Sequence, residues 1–246
     1  MIEFGSFEWA VVAICALLVG INKTAVPGLG TLVVPLMAIV LPARSSVGVL
    51  LGMLILADIF AVVYYRRHAN WSYVLRLMPL TLAGIVAGYF CLKVISNARL
   101  KPVIAVIVLA MLAINYWQNR NSNEESAVPT QWWFAAAMGF GAGVTTMMAN
   151  AAGPIIVIYL LAMRLPKTEF VATSVWFFFI VNWLKVPFNA NLGLMNAESV
   201  KLNLMMLPFI AAGAAAGILI LKHISQKMFA VIVQLLAAAA AVRLLF

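Results

Sequence analysis

The chain has 246 residues, 65% hydrophobic and only 9% charged, where an average soluble domain carries about 25% charge. With a mean hydropathy of +1.07, it has too little polar surface for a soluble domain and the wrong composition for disorder, collagen or a coiled coil. Its long unbroken apolar runs also exclude the alternating strands of an outer-membrane barrel, which leaves a polytopic helical membrane protein.

Sixteen Lys and Arg against seven Asp and Glu give a formal charge of +9. In a membrane protein such an excess sits in loops against anionic headgroups, so it says little about a substrate. Cys15 and Cys91 lie inside apolar runs and read as small core hydrophobes rather than a disulfide. The opening MIEFGSFEW has no basic n-region and carries two acids, so it does not read as a cleavable signal peptide.

A spanning helix needs about 20 apolar residues. In chain order, the first apolar region, 7–41, is longer than one span and breaks at INKTAVPGLG. Single spans follow at 46–65, 72–92 and 101–117. A second long region, 132–163, breaks at MANAAGP, and spans at 169–188, 200–221 and 227–246 complete the chain. Gly and Pro in mid-segment release backbone groups that lipid cannot satisfy, and such backbone is tolerated only inside protein or along a wet cavity. Each broken region is therefore expected to be two short helical halves entering the membrane as a hairpin.

The polar run QNRNSNEESAVPT, residues 118–130, has the composition of a flexible linker and divides the chain into 1–117 and 131–246. The halves carry matching features. At an offset of 124, Leu41-Pro42 meets Leu165-Pro166 and Asp58 meets Asn182; at 129, Gly84-x-x-x-Gly88 meets Gly213-x-x-x-Gly217. A broken hairpin plus three helices makes an odd number of crossings per half. The expected fold is thus an all-α polytopic membrane protein of two inverted repeats, each a broken or re-entrant hairpin followed by three transmembrane helices. Secondary transporters use this plan, with the site at the midplane between the broken helices. Orientation stays open, because eight basic residues face one side and seven the other.

Enzyme chemistry finds no support. The chain has no HExxH, no Walker A sequence, no GxSxG and no Cys/His cluster with metal spacing, so neither a metal nor a cofactor is expected. Asp58 is the one acid deep in a span, eight residues before Arg66. That is about 12 Å along a helix, near the middle of a core about 30 Å thick. Lys23 is the one base in a broken centre, and Lys185 is read as snorkelling from near its helix end. Two readings stand for Lys23: a cation for an anionic substrate, or a salt-bridge partner for Asp58. Asp58 correspondingly either couples protons or orders the broken loop.

Helix N-termini at the breaks offer a second anion device, with unpaired N–H groups that Gly and Ala leave accessible. Asn22, Lys23, Thr24, Gly28, Gly30 and Thr31 at the first break are candidate substrate-binding residues. Thr145, Thr146, Asn150 and Gly153 at the second, with Asn182, complete the set. The G-x-x-x-G motifs read as helix packing ahead of a dimer seam. Trp71, Trp117, Trp132 and Trp133 read as interfacial anchors.

The stretches NKTAVPGLGTLVVPL, LPARSSVGVLLGMLILADIFAVVYYRRHANW, GFGAGVTTMMANAAGPIIVIYLLAMRLPKTEF and FFFIVNWLKVPF resemble the sulfite exporter TauE/SafE permease family over nearly the whole chain. The resemblance implies a cell-membrane permease for sulfite, sulfoacetate or a related organosulfonate, often in the export direction. The expected partners are a small anion and the lipid bilayer, not nucleic acid, with the chain a monomer or homodimer. The leading expectation is a secondary transporter working by alternating access; a channel-like anion conductor is the alternative.

Overall fold

The computed structural model describes residues 5–24, 30–65, 67–121, 132–220 and 226–245. Among these residues there are ten helices and no strand. The first half holds α1 (Ser6–Thr24), α2 (Gly30–Val40), α3 (Ala43–Tyr65), α4 (Trp71–Val94) and α5 (Asn97–Asn121). The second holds α6 (Trp132–Ala149), α7 (Gly153–Ala162), α8 (Lys167–Asn191), α9 (Ala197–Ile220) and α10 (Gln226–Arg243). Six of them, α1, α3, α4, α5, α8 and α9, contain windows long and apolar enough to cross a membrane. Pro35, Pro79, Pro102, Pro187 and Pro208 all lie inside helices. Neighbouring helices in membranes re-satisfy the groups that such prolines free.

The two breaks fall where the sequence placed them, but not at the centre of their segments. α1 and α6 have 19 and 18 residues, about 27–28 Å of helix, whereas α2 and α7 have 11 and 10, about 15–16 Å. A short helix of that length cannot cross a core of about 30 Å alone. Each broken region is thus one long helix plus one half-length helix, not two equal halves. Helix α5 also continues to Asn121, into the start of the polar run; the rest of that run lies outside the described residues.

Helix α3 is the core element: 72% of its span is buried, against 33% for α4. It packs on α9 and α8, while α1 packs most closely on α9 and α4 on α6. Helices α3 and α8 run antiparallel. The Asn70 N–H after α3 donates to Thr173 near the start of α8. Asp58 and Asn182 meet at mid-length, and Gly48 near the start of α3 lies against the Leu194 carbonyl beyond the end of α8.

Glycines set the two closest helix contacts. A Cβ at Gly84 would stand 2.2 Å from the Phe140 carbonyl oxygen, and one at Gly143 2.2 Å from that of Thr81. At Gly20 and Gly213 the clashes are with the Ile210 oxygen at 2.2 Å and the Leu17 oxygen at 2.1 Å. The G-x-x-x-G glycines Gly84, Gly88 and Gly213 therefore pack within the chain, as small residues do in membrane bundles.

Outward-facing Val63, Phe90, Val106, Leu204 and Leu219 form an apolar shell suited to lipid. Cys15 is buried as expected, but Cys91 is exposed on the outer face of α4. An apolar run in a membrane protein can face lipid as readily as core, which is why position in the run did not place it. Trp71, Trp132 and Trp133 are exposed near helix starts, where interfacial anchors belong.

Candidate substrate site

Apolar helices α1, α3, α6 and α8 converge on a small set of buried polar side chains. At the end of α1, Lys23 Nζ lies 2.7 Å from Asp58 Oδ1 on α3. Asn182 on α8 donates its amide to Asp58 Oδ2 at 2.6 Å. The same ammonium stands 4.7 Å from the centre of the Phe178 ring, a cation–π distance. Asp58 is fully buried and the Lys23 side chain 9% exposed, so each ion depends on the other for its desolvation to be tolerable.

A second cluster lies one turn further along α8. Lys185, fully buried, donates to the Thr146 carbonyl at 3.2 Å, to Thr146 Oγ1 at 2.9 Å and to Asn150 Oδ1 at 2.6 Å. Asn150 in turn donates to the Val47 carbonyl on α3 at 3.0 Å. Its backbone is left-handed, φ 53°, a conformation Asn tolerates better than most residues. That turn ends α6. The Asn150 and Ala151 N–H groups close onto the Thr146 and Thr145 carbonyls, and α7 starts at Gly153.

The snorkelling expected of Lys185 is not what the structure shows. Helix α8 continues through Pro187 to Asn191, so Lys185 lies nearly two turns from the end and points inward. Asn182, Lys185 and Asn189 recur at i, i+3 and i+7, one stripe on an otherwise apolar helix. That stripe was a legible signal, and all three side chains are buried.

The remaining candidates divide. Asn22 Oδ1 accepts the Gly30 N–H at 3.2 Å and so ties the two helices of the first hairpin across the break. Thr24 shares its hydroxyl between the Gly20 carbonyl and the Ala214 carbonyl of α9, and its own carbonyl accepts from Tyr65. Thr24 therefore joins helices rather than facing the cluster. Thr145 bonds back to Gly141 within α6, and Thr31 is buried in α2. Gly28 lies outside the described residues. Gly153 faces open space, and no side chain caps α7, which begins with Gly153 and Pro154. Pro154 carries no N–H, and the Ile156 N–H closes onto the Ala152 carbonyl. A groove of about 610 Å³ between α3 and α9 runs from Arg67 and His68 past Phe60 and Ile218 to Thr24, next to Lys23.

A family model described as Sulfite exporter TauE/SafE matches residues 12–244, spanning all four helices that build the cluster. The chain belongs to this family. As a TauE/SafE protein it is a membrane transporter of sulfur-containing anions such as sulfite, integral to the cell membrane, and its family is one of permeases rather than enzymes. No curated protein and no solved structure matches the chain. Among the described residues of this TauE/SafE protein, no group of His, Cys, Asp and Glu is placed to hold a metal ion.

Proposed function

We propose that this TauE/SafE protein is a secondary transporter that exports a small sulfur oxyanion, such as sulfite, sulfoacetate or a related organosulfonate, by alternating access. The observation that carries the reading is the buried Lys23–Asp58–Asn182 junction beside the first break, facing the Lys185–Thr146–Asn150 junction at the second. Charged groups so deep in a membrane protein mark pathways. Two contacts fit an inverted arrangement of the halves and support it further. Asp58 and Asn182 occupy matching positions in the repeat and touch, on helices that run in opposite directions. Likewise α1 pairs with α9 as α6 pairs with α4, the exchange a two-fold axis in the membrane plane generates.

Counterflow tests the reading. Proteoliposomes loaded with unlabelled sulfite are expected to accumulate external labelled sulfite transiently above equilibrium. Only a carrier with an obligatory conformational cycle does this; unitary currents without counterflow would establish the channel instead.

In this scheme Asp58 couples the cycle to protons, because it is the one carboxylate of the cluster. An imposed pH gradient is expected to drive net sulfite flux through the wild type. Asp58→Asn, which keeps an oxygen for Asn182 to donate to, should retain counterflow and lose that drive. An equal response in the two proteins would reduce Asp58 to an anchor for the first hairpin.

A further inference from the structure

The groove between α3 and α9 is basic at one end and apolar along its length. Arg67 and His68 stand at its mouth, and its volume of about 610 Å³ is that of a small-ligand site. Val63 on its α3 wall is 66% exposed, so the groove faces the lipid-side shell rather than the core. On α9 its wall runs from Ala211 past Ala214 and Ala215 to Ile218, about 10 Å of helix. Tyr64, exposed near the mouth, sits where interfacial tyrosines belong. Thr24, at the inner end, shares its hydroxyl between the Gly20 and Ala214 carbonyls. Among the described lining residues deeper than Tyr64, none therefore offers a free side-chain donor. A bare anion there would lose its water without compensation.

The other half of the chain provides an internal comparison. At the offset of 129, Ala211, Ala214, Ala215 and Ile218 correspond to Leu82, Ile85, Val86 and Tyr89 on α4. Backbone contacts keep the same offset. A Cβ on Gly20 would meet the Ile210 oxygen and the Ala214 nitrogen, and one on Gly143 the Thr81 oxygen and the Ile85 nitrogen. At the offset of 124, Tyr64, Arg67 and His68 correspond to Phe188, Asn191 and Leu192. On that side Leu, Ile and Val stand where the groove has alanines. Tyr89 packs its ring on Phe188 at 5.4 Å and donates its hydroxyl to Asn191 at 2.7 Å, closing the space. Cationic mouth and small-residue wall thus occur together on one side and are replaced together at the matching positions. Helix packing alone does not require that pairing, whereas an amphiphile's site does. The geometry points to one occupant: an anionic phospholipid, with its phosphate on Arg67 and His68 and part of an acyl chain along the alanine wall. Charge-assisted hydrogen bonds hold the headgroup, and burial of methylenes holds the chain. The groove ends at Thr24, next to Lys23, so the bound lipid braces α1, α3 and α9 beside the ion pair. This site stands independently of the transporter reading.

Native mass spectrometry of the purified full-length protein, released from neutral detergent and titrated with phosphatidylglycerol or phosphatidylcholine, tests the site. One phosphatidylglycerol is expected to be retained, at least tenfold more tightly than phosphatidylcholine. The double variant Arg67→Gln/His68→Gln should weaken that binding at least tenfold. Ala215→Leu, which fills the groove at an exposed wall position and leaves the cations in place, should do the same. Lys93→Gln removes an exposed cation elsewhere and should change nothing. Glycerol phosphate, the headgroup anion without chains, should not compete at the same concentration as the lipid. Equal retention of the two lipids would overturn the proposal, and an equal loss in Lys93→Gln would reduce it to general surface charge. Undiminished binding by folded Ala215→Leu protein would put the chain outside the groove. Competition by glycerol phosphate or by sulfite would make the site one for a free anion and overturn the lipid assignment.

Discussion

Asp58→Ala is expected to destabilise the protein by about 3–5 kcal/mol, the usual loss when one member of a buried ion pair is removed. The substitution strands the Lys23 ammonium, whose side chain is only 9% exposed, and leaves the Asn182 amide without its acceptor. Lys23→Met should fall in the same range, because it leaves a fully buried carboxylate with only the Asn182 hydrogen bond. The double variant Lys23→Met/Asp58→Leu behaves differently. Replacing a whole buried pair by apolar groups of similar volume is often neutral or stabilising by about 1–4 kcal/mol. Here the unpaired Asn182 amide gives back about 1–3 kcal/mol. The double variant should therefore unfold near the wild-type denaturant midpoint and yet show no sulfite counterflow. Denaturant unfolding in detergent and the flux assay together separate the two roles of the pair. A stable double variant with normal flux would mean that the pair only holds α1 to α3. A double variant as unstable as the singles would mean that polar packing, rather than charge balance, governs the junction.

The pairing of Lys23 with Asp58 was one of the two readings open from the sequence, since each was the lone deep charge of its sign in an unbroken count. What the sequence left undecided was distance, because 35 residues and a break separate them. The structure closes that gap by bringing the ends of α1 and α3 together, with Tyr65 donating to the Thr24 carbonyl just beyond the ion pair. The breaks themselves were legible because Gly, Pro and Asn are conspicuous against apolar background. Their off-centre position was not, because hydropathy varies too little along such runs to mark which half is longer. Lys185 was misplaced for a related reason. The apolar run fades at 188, about one turn beyond Lys185, whereas α8 continues through Pro187 to Asn191. Contacts such as Asn150 with Val47 depend on how the turn after α6 meets α3 and leave no trace in either segment's pattern.

Gly143→Ala is expected to be markedly worse than Gly141→Ala, although the two glycines are neighbours on one helix. In isolation both substitutions favour α-helix, by about 0.5–1 kcal/mol. A Cβ at Gly141 meets only Ile155 Cδ1 at 3.7 Å, an ordinary contact, so that gain should survive. A Cβ at Gly143 meets the Thr81 carbonyl oxygen at 2.2 Å and the Gly84 Cα at 2.8 Å. Both are backbone atoms, and no rotamer change can move them. Relief requires α6 to shift away from α4, and overpacking of this kind costs about 1–3 kcal/mol. A shift of α6 also moves Thr146 and Asn150, which hold Lys185, so sulfite flux should fall by more than the stability loss alone accounts for. Gly153→Ala provides the complementary result. Nothing stands within 4 Å of a Cβ there, so stability should be unchanged, and a fall in flux would trace to ligand access through that open space. Unfolding midpoints and initial flux rates for the three variants distinguish helix packing from ligand access. Equal stability of Gly143→Ala and Gly141→Ala would show that α4 and α6 do not approach as closely as these distances require, and the placement of the second cluster would fall with that contact.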